Sequence, residues 1–226
     1  MGLGIRAFDH LSPDMRQGVK RRHLFLPGDD PDRRHKCRER FESPGVQSVK
    51  MDTTYYFSYG SNMSTPRLAH RAPSLRALTV AQLQGHRLRF HKRGKDSSGK
   101  CDAELTDDAT DVVYGIVFEI AASEKLQLDE HEGLHKGYEE KRVLVYTEYG
   151  KELEALTYYA TSIDPALKPY DWYKEHVLRG AREHGLPWEY VESIAAVEAI
   201  PDPDTPRCER ELAIYRGPAR GVVLAR

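Results

Sequence analysis

Tyr55-Tyr56-Phe57-Ser58-Tyr59 runs directly into Gly60-Ser61-Asn62-Met63. A run of β-formers stopped by turn formers reads as a strand ending in a tight turn. Downstream, Leu78 to Phe90 alternates loosely and reads as one or two strands. Ala103–Thr106 and Val112–Ile120, separated by Asp107-Asp108, read as a hairpin whose second arm is largely buried. Glu139–Tyr149 and Glu152–Tyr159, joined by Gly150-Lys151, read as a second hairpin. Helices fit best at Ser123–Glu132, Tyr170–His184 and Pro187–Ala195. On the middle one, Tyr173, Val177, Ala181 and His184 share a face, and Gly185 suits the stop. Many short strands with few helices predict an α+β domain on a compact, curled sheet.

The chain has 226 residues, enough for one domain with an appendage. Hydrophobic residues make up 39% and charged residues 31%, so a core can form under a polar surface. No apolar run approaches the roughly 18 residues that a membrane-spanning helix needs. The net charge of −1 gives no sign of a nucleic-acid partner. Cys37, Cys101 and Cys208 are odd in number and widely spaced. They match neither a disulfide framework nor a zinc spacing and suit free thiols in a reducing compartment, the cytoplasm.

Residues 1–52 differ from the rest, with 11 Lys and Arg against 8 Asp and Glu. Such a charged stretch buries too little apolar surface to offset its chain entropy, so disorder is expected. It lacks the apolar core of a secretory leader and is too acidic for a mitochondrial one. Translation beginning at Met51 is an alternative reading. The expected organisation is an N-terminal extension (1–52), a folded domain (53–200) and a mostly irregular tail (201–226).

Three places carry candidate chemistry. After the first strand, Gly60 permits a tight turn, and the successive N–H groups of Gly60-Ser61-Asn62 can cradle an anion. Second, His131-Glu132-Gly133-Leu134-His135 satisfies H-E-x-x-H, a zinc-peptidase pattern in which both histidines share one helix face. Gly133 and Gly137 argue against a continuous helix there, since each interior Gly costs about 1 kcal/mol. Without zinc, the stretch is a helix end carrying Asp129, Glu130 and Glu132. A carboxylate there meets the negative end of the helix dipole, which disfavours its charged form and suits proton transfer. Third, Tyr138, Tyr158 and Tyr173 lie at element edges, where a ring can pack in the core while its hydroxyl reaches a pocket.

Taken together these motifs resemble the γ-glutamylcyclotransferase family. Tyr56–Met63 resembles the family's opening strand and its YGSN loop, and Val113–Phe118 its central strand. Leu128-Asp129-Glu130-His131-Glu132-Gly133 resembles the helix end with the family's glutamate, followed by Lys136-Gly137-Tyr138. Gly185-Leu186-Pro187-Trp188-Glu189-Tyr190 resembles a helix start of the γ-glutamyl-dipeptide branch. The resemblance spans about Tyr55 to Ile200. It implies a small closed β-barrel with flanking helices and no cofactor or metal. It implies cyclisation of a γ-glutamyl amino acid to 5-oxoproline with release of the amino acid. By position, Glu132 is the catalytic acid/base; Tyr59, Gly60, Ser61, Asn62, Tyr138, Tyr158 and Tyr173 bind the substrate. The implied partner is this small molecule, with neither nucleic acid nor membrane, and a homodimer is left open. Glutathione-specific or γ-glutamylamine cyclisation are the alternatives within the family. Outside it stand a zinc peptidase built on His131 and His135, and a binding module without turnover.

Overall fold

The computed structural model describes residues 52–216. The expectations of disorder in the N-terminal extension and of a start at Met51 lie outside the described residues. Strand β1 (Thr53–Ser58) is antiparallel to β5 (Val112–Ala121), with Phe57 opposite Val117. Strand β5 pairs on its other edge with β2 (Arg76–Gln84), which pairs with β6 (Tyr138–Thr147). Strand β6 forms a hairpin with β7 (Glu152–Ala160), and β7 returns to β1 in parallel, closing a five-stranded barrel. Phe57, Ile116, Phe118, Ile120 and Val145 are fully buried in its core.

The expected hairpin between 103–106 and 112–120 does not form. Strand β4 (Gly99–Leu105) instead pairs with β3 (His86–Arg93) as a separate two-stranded sheet. The reason lies in the side chains. Strand β5 is apolar on both faces and takes neighbours on both edges. Strands β3 and β4 carry complementary charges, with Arg89 paired to Glu104 at 2.8 Å. Asp107 and Asp108 lie in the connection that carries the chain across to the barrel.

Helix α1 (Thr65–Ala69) follows a single 3-10 turn at Ser61–Met63. Helix α2 (Lys125–Glu132) ends at left-handed Gly133, whose N–H donates to the Asp129 carbonyl at 2.9 Å. Helices α3 (Asp171–Glu183) and α4 (Trp188–Ala195) match the expected positions, with Tyr173, Val177 and Ala181 buried. Gly185, at φ 66°, ends α3 as its position suggested. Among the described residues no helix is long and apolar enough to cross a membrane.

The expected irregular tail contains a fifth helix, α5 (Thr205–Ala213). Prolines at 201, 203 and 206 favour irregular chain, but Pro206 sits in the first turn of the helix, where its missing N–H costs nothing. Asp204 caps that turn by accepting from Arg207 N at 2.9 Å. Below it, Asp202 accepts from Trp172 Nε1 at 2.7 Å and from Arg207 Nε at 2.6 Å, tying α5 to α3.

Helix α3 approaches the Ser61–Met63 turn closely at Gly180. A Cβ there would stand 2.4 Å from Ser64 N and 2.5 Å from Met63 C, both backbone atoms. Gly180→Ala would normally gain about 1 kcal/mol of helix propensity. Here the clash with backbone reverses the sign, and a net loss of about 1–3 kcal/mol is expected. A lower urea midpoint checks this; an unchanged or higher one contradicts the packing described.

Candidate active site

The end of β1, the 3-10 turn and the end of α2 meet around an open pocket with about 300 Å³ of free space. Gly60 is required there because β4 crosses closely: a Cβ would meet Cys101 Cβ at 3.0 Å. The turn is closed by Met63 N donating to the Gly60 carbonyl at 3.0 Å. All eight residues that the sequence nominated line this pocket: Tyr59, Gly60, Ser61, Asn62, Glu132, Tyr138, Tyr158 and Tyr173.

Glu132 is the last residue of α2, its side chain 16% exposed. Its Oε1 accepts from Asn62 Nδ2 at 2.6 Å and from an Arg71 guanidinium nitrogen at 2.9 Å. The same Arg71 nitrogen donates to Asn62 Oδ1 at 2.7 Å, which fixes the orientation of the amide. Asn62 Nδ2 also lies 3.1 Å from the Tyr56 hydroxyl. Among the described residues no hydrogen bond reaches Oε2. One carboxylate oxygen is thus clamped and the other is left to the pocket.

The tyrosines are arranged differently from the expectation of hydroxyls reaching for a ligand. Tyr138 donates to the Cys101 carbonyl, and Tyr173 accepts from Cys101 N at 3.0 Å. Together they pin the backbone of β4 on both sides of the Cys101 Cα. Tyr59 donates to the Tyr158 carbonyl at 2.6 Å, and Tyr158 donates to Asp129, which Lys125 also holds. Their rings wall the pocket while the hydroxyls are engaged with protein.

Burial raises the proton affinity of Tyr56, Tyr59, Tyr138, Tyr158 and Tyr173 well above the usual phenol range. It pushes the Cys101 thiol up to about 12. At neutral pH none of these groups can take a proton from an amine, which leaves Glu132 as the carboxylate among the titratable groups lining the pocket.

Sequence reasoning missed Arg71, Tyr56, Cys101 and Ser58. Ser58 is 1% exposed, and its Oγ has no hydrogen-bond partner among the described residues. Arg67 and Arg71, four residues apart just after the turn, were the available signal, since that spacing puts two cations on one face. The H-E-x-x-H reading fails on geometry. Helix α2 stops at Glu132, and His135, at φ 61°, lies beyond the turn bonded to Glu139. The two histidines share no helix face.

Comparison with known proteins agrees with this arrangement. Residues 112–194 match a profile described as the AIG2-like family. A γ-glutamylcyclotransferase of Homo sapiens is 38% identical over 147 residues, 63% of this chain and 78% of that protein. One from Mus musculus is 37% identical over 151 residues, 65% and 80% of the respective chains. The chain belongs to the γ-glutamylcyclotransferase family. A solved structure of a γ-glutamyl cyclotransferase superposes with a TM-score of 0.65 at 32% identity, over 74% of this chain and 100% of that one.

In this member of the γ-glutamylcyclotransferase family the turn is braced from behind by a buried cluster. Arg67 donates to His176 Nε2 at 3.0 Å and to Glu211 at 2.5 Å. With Nε2 accepting, Nδ1 carries the proton and donates to the Tyr215 hydroxyl at 2.6 Å, which donates to Ser64 Oγ at 2.9 Å. Burial lowers His176 to about 4, and Glu211, whose carboxylate accepts from Arg67, is lowered to about 2. The unfolded chain takes up both protons at higher pH than the native state, so acid removes stability. Loss from His176 runs from about 6.5 down to about 4, and from Glu211 from 4.5 to about 2. Urea midpoints should fall through the upper window, and His176→Gln should flatten that slope. An equal slope in the variant contradicts a neutral buried histidine.

Proposed function

We propose that this protein is a γ-glutamylcyclotransferase acting on γ-glutamyl amino acids, with Glu132 as its general base and acid. The observation that carries the role of Glu132 is the asymmetry of its carboxylate, with Oε1 held by Asn62 and Arg71 and Oε2 unbonded among the described residues.

The substrate's α-amine attacks its own γ-carbonyl, forming the C–N bond of a five-membered lactam and breaking the γ-amide C–N bond. Folding the substrate so that both ends meet supplies much of the advantage, because closure within one molecule avoids the entropy cost of an encounter. The amine arrives as an ammonium and is no nucleophile until a base takes its proton. Glu132 Oε2 accepts it and delivers it to the departing nitrogen, then passes the ring nitrogen's excess proton to the same amine, which leaves as an ammonium. Net protonation is unchanged. Arg71 keeps the carboxylate oriented and offsets its charge.

The turn at Gly60-Ser61-Asn62 offers backbone N–H donors to the γ-carbonyl oxygen as negative charge develops on it. Ser58 Oγ is a further unsatisfied polar group for the glutamyl end. The rings of Tyr59, Tyr138, Tyr158 and Tyr173 exclude water and shape the pocket. The described thiols, Cys101 and Cys208, are both unpaired and suit a cytoplasmic setting.

Glu132→Gln preserves the shape and an acceptor for Asn62 and Arg71 but cannot take the amine's proton. It should melt like the wild type and lose 5-oxoproline formation from γ-glutamyl-alanine by at least about 100-fold. Retained turnover in a folded variant contradicts the assignment.

A further inference from the structure

The pocket adjoins a larger, solvent-open chamber, with about 880 Å³ of free space including its mouth, that shares Ser61, Glu132, Tyr138 and Tyr173 with it. Six cations line this chamber, Arg67, Arg71, Lys92, Lys95, Lys100 and Lys136, against the carboxylates of Asp96, Glu132 and Glu211. Each carboxylate is already taken. Arg71 pairs with Glu132 at 2.9 Å, Arg67 with Glu211 at 2.5 Å and Lys100 with Asp96 at 2.7 Å. Among the described residues Lys92, Lys95 and Lys136 have no ion-pair partner. The chamber carries an excess of positive charge that nothing described in the protein answers.

Lys95 and Lys136 are exposed and solvated, but Lys92 is not. It lies on β3 at 5% exposure. An irregularity in register between Arg89 and Lys92 places the neighbours His91 and Lys92 both inside. Its Nζ stands 4.5 Å from the Tyr138 ring centroid, on the wall common to both cavities. No hydrogen bond to Nζ is formed among the described residues. The chain also makes room for it: a Cβ on Gly137 would meet Lys92 Cε at 3.1 Å and Nζ at 3.3 Å. Its stem is packed away while Nζ opens onto the chamber with neither ion pair nor hydrogen bond among the described residues, which leaves that charge available to an anion there. Burial lowers its proton affinity, and the charge of Glu132 opposes that effect.

We propose that Lys92 binds the carboxylate of the leaving amino acid, so that the site selects γ-glutamyl amino acids over γ-glutamyl amines lacking a carboxylate. This rests on the cyclotransferase reading. Glu132 lines both cavities, so the scissile bond lies at their boundary. The glutamyl end occupies the inner pocket and the leaving amino acid the cationic chamber. A carboxylate there gives Lys92 the partner it lacks, with Lys95 and Lys136 adding attraction from the rim.

The test compares kcat/KM for γ-glutamyl-alanine and γ-glutamyl-ethylamide in wild type, Lys92→Met and Lys92→Arg. Wild type should prefer the alanine substrate by about 10- to 100-fold. Lys92→Met should remove that preference by lowering the alanine value alone, and Lys92→Arg should keep most of it. Equal turnover of both substrates by wild type overturns the proposal without any variant. So does a Met variant of unchanged melting temperature that loses both activities alike. 5-Oxoproline from either substrate upholds the cyclotransferase reading and leaves the ratio to decide Lys92. Its absence from both overturns the two together.

Discussion

The arrangement of this site depends on the clamp on one oxygen of Glu132. A carboxylate at the end of a helix meets partial negative charge, and water normally compensates it. Here Asn62 and Arg71 supply the compensation, converging on Oε1 from the turn after β1 and from the segment after α1. Hydrogen bonds to a charged group contribute about 1.5–3 kcal/mol each, and removing one partner of a buried pair costs about 3–5 kcal/mol. Residues from three separate stretches are thereby held to one atom, and the position of the opposite oxygen follows.

The rest of the site serves that geometry. Gly60 and Gly180 are places where side chains would push β4 or α3 away from the turn. Tyr138 and Tyr173 hold the two peptide groups that flank the Cys101 Cα. Helix α5 braces the same turn from outside through Glu211, which holds Arg67, and Tyr215 just beyond its end bonds Ser64. A rigid pocket suits a reaction in which the substrate supplies both nucleophile and electrophile, because the protein's main task is to hold one small molecule folded.

Much of this was legible in the chain. The strand-to-turn signal at Tyr55–Met63, the apolar run of β5, the Gly150-Lys151 hairpin and the face of α3 are local patterns, and each appears where its periodicity placed it. Glu132 was legible from its place before Gly133 together with the ordered motifs around it. Pairing was less so: β4 chose β3 over β5 through charge complementarity and the two-edged burial of β5, neither of which is a property of adjacent residues. Helix α5 was obscured because prolines read as breakers unless their place in the first turn is recognised. Arg71 and Lys92 were missed for a common reason. Their significance lies in which carboxylate each one has, or lacks, across the fold.

The most direct measurement of the central claim is a crystal structure of the Glu132→Gln variant soaked with γ-glutamyl-alanine. The account predicts the substrate's α-amine within hydrogen-bond reach of residue 132 on the side away from Arg71, with the γ-carbonyl oxygen toward the Gly60–Asn62 amides. An amine seated away from residue 132, with the glutamyl end outside the inner pocket, would contradict it.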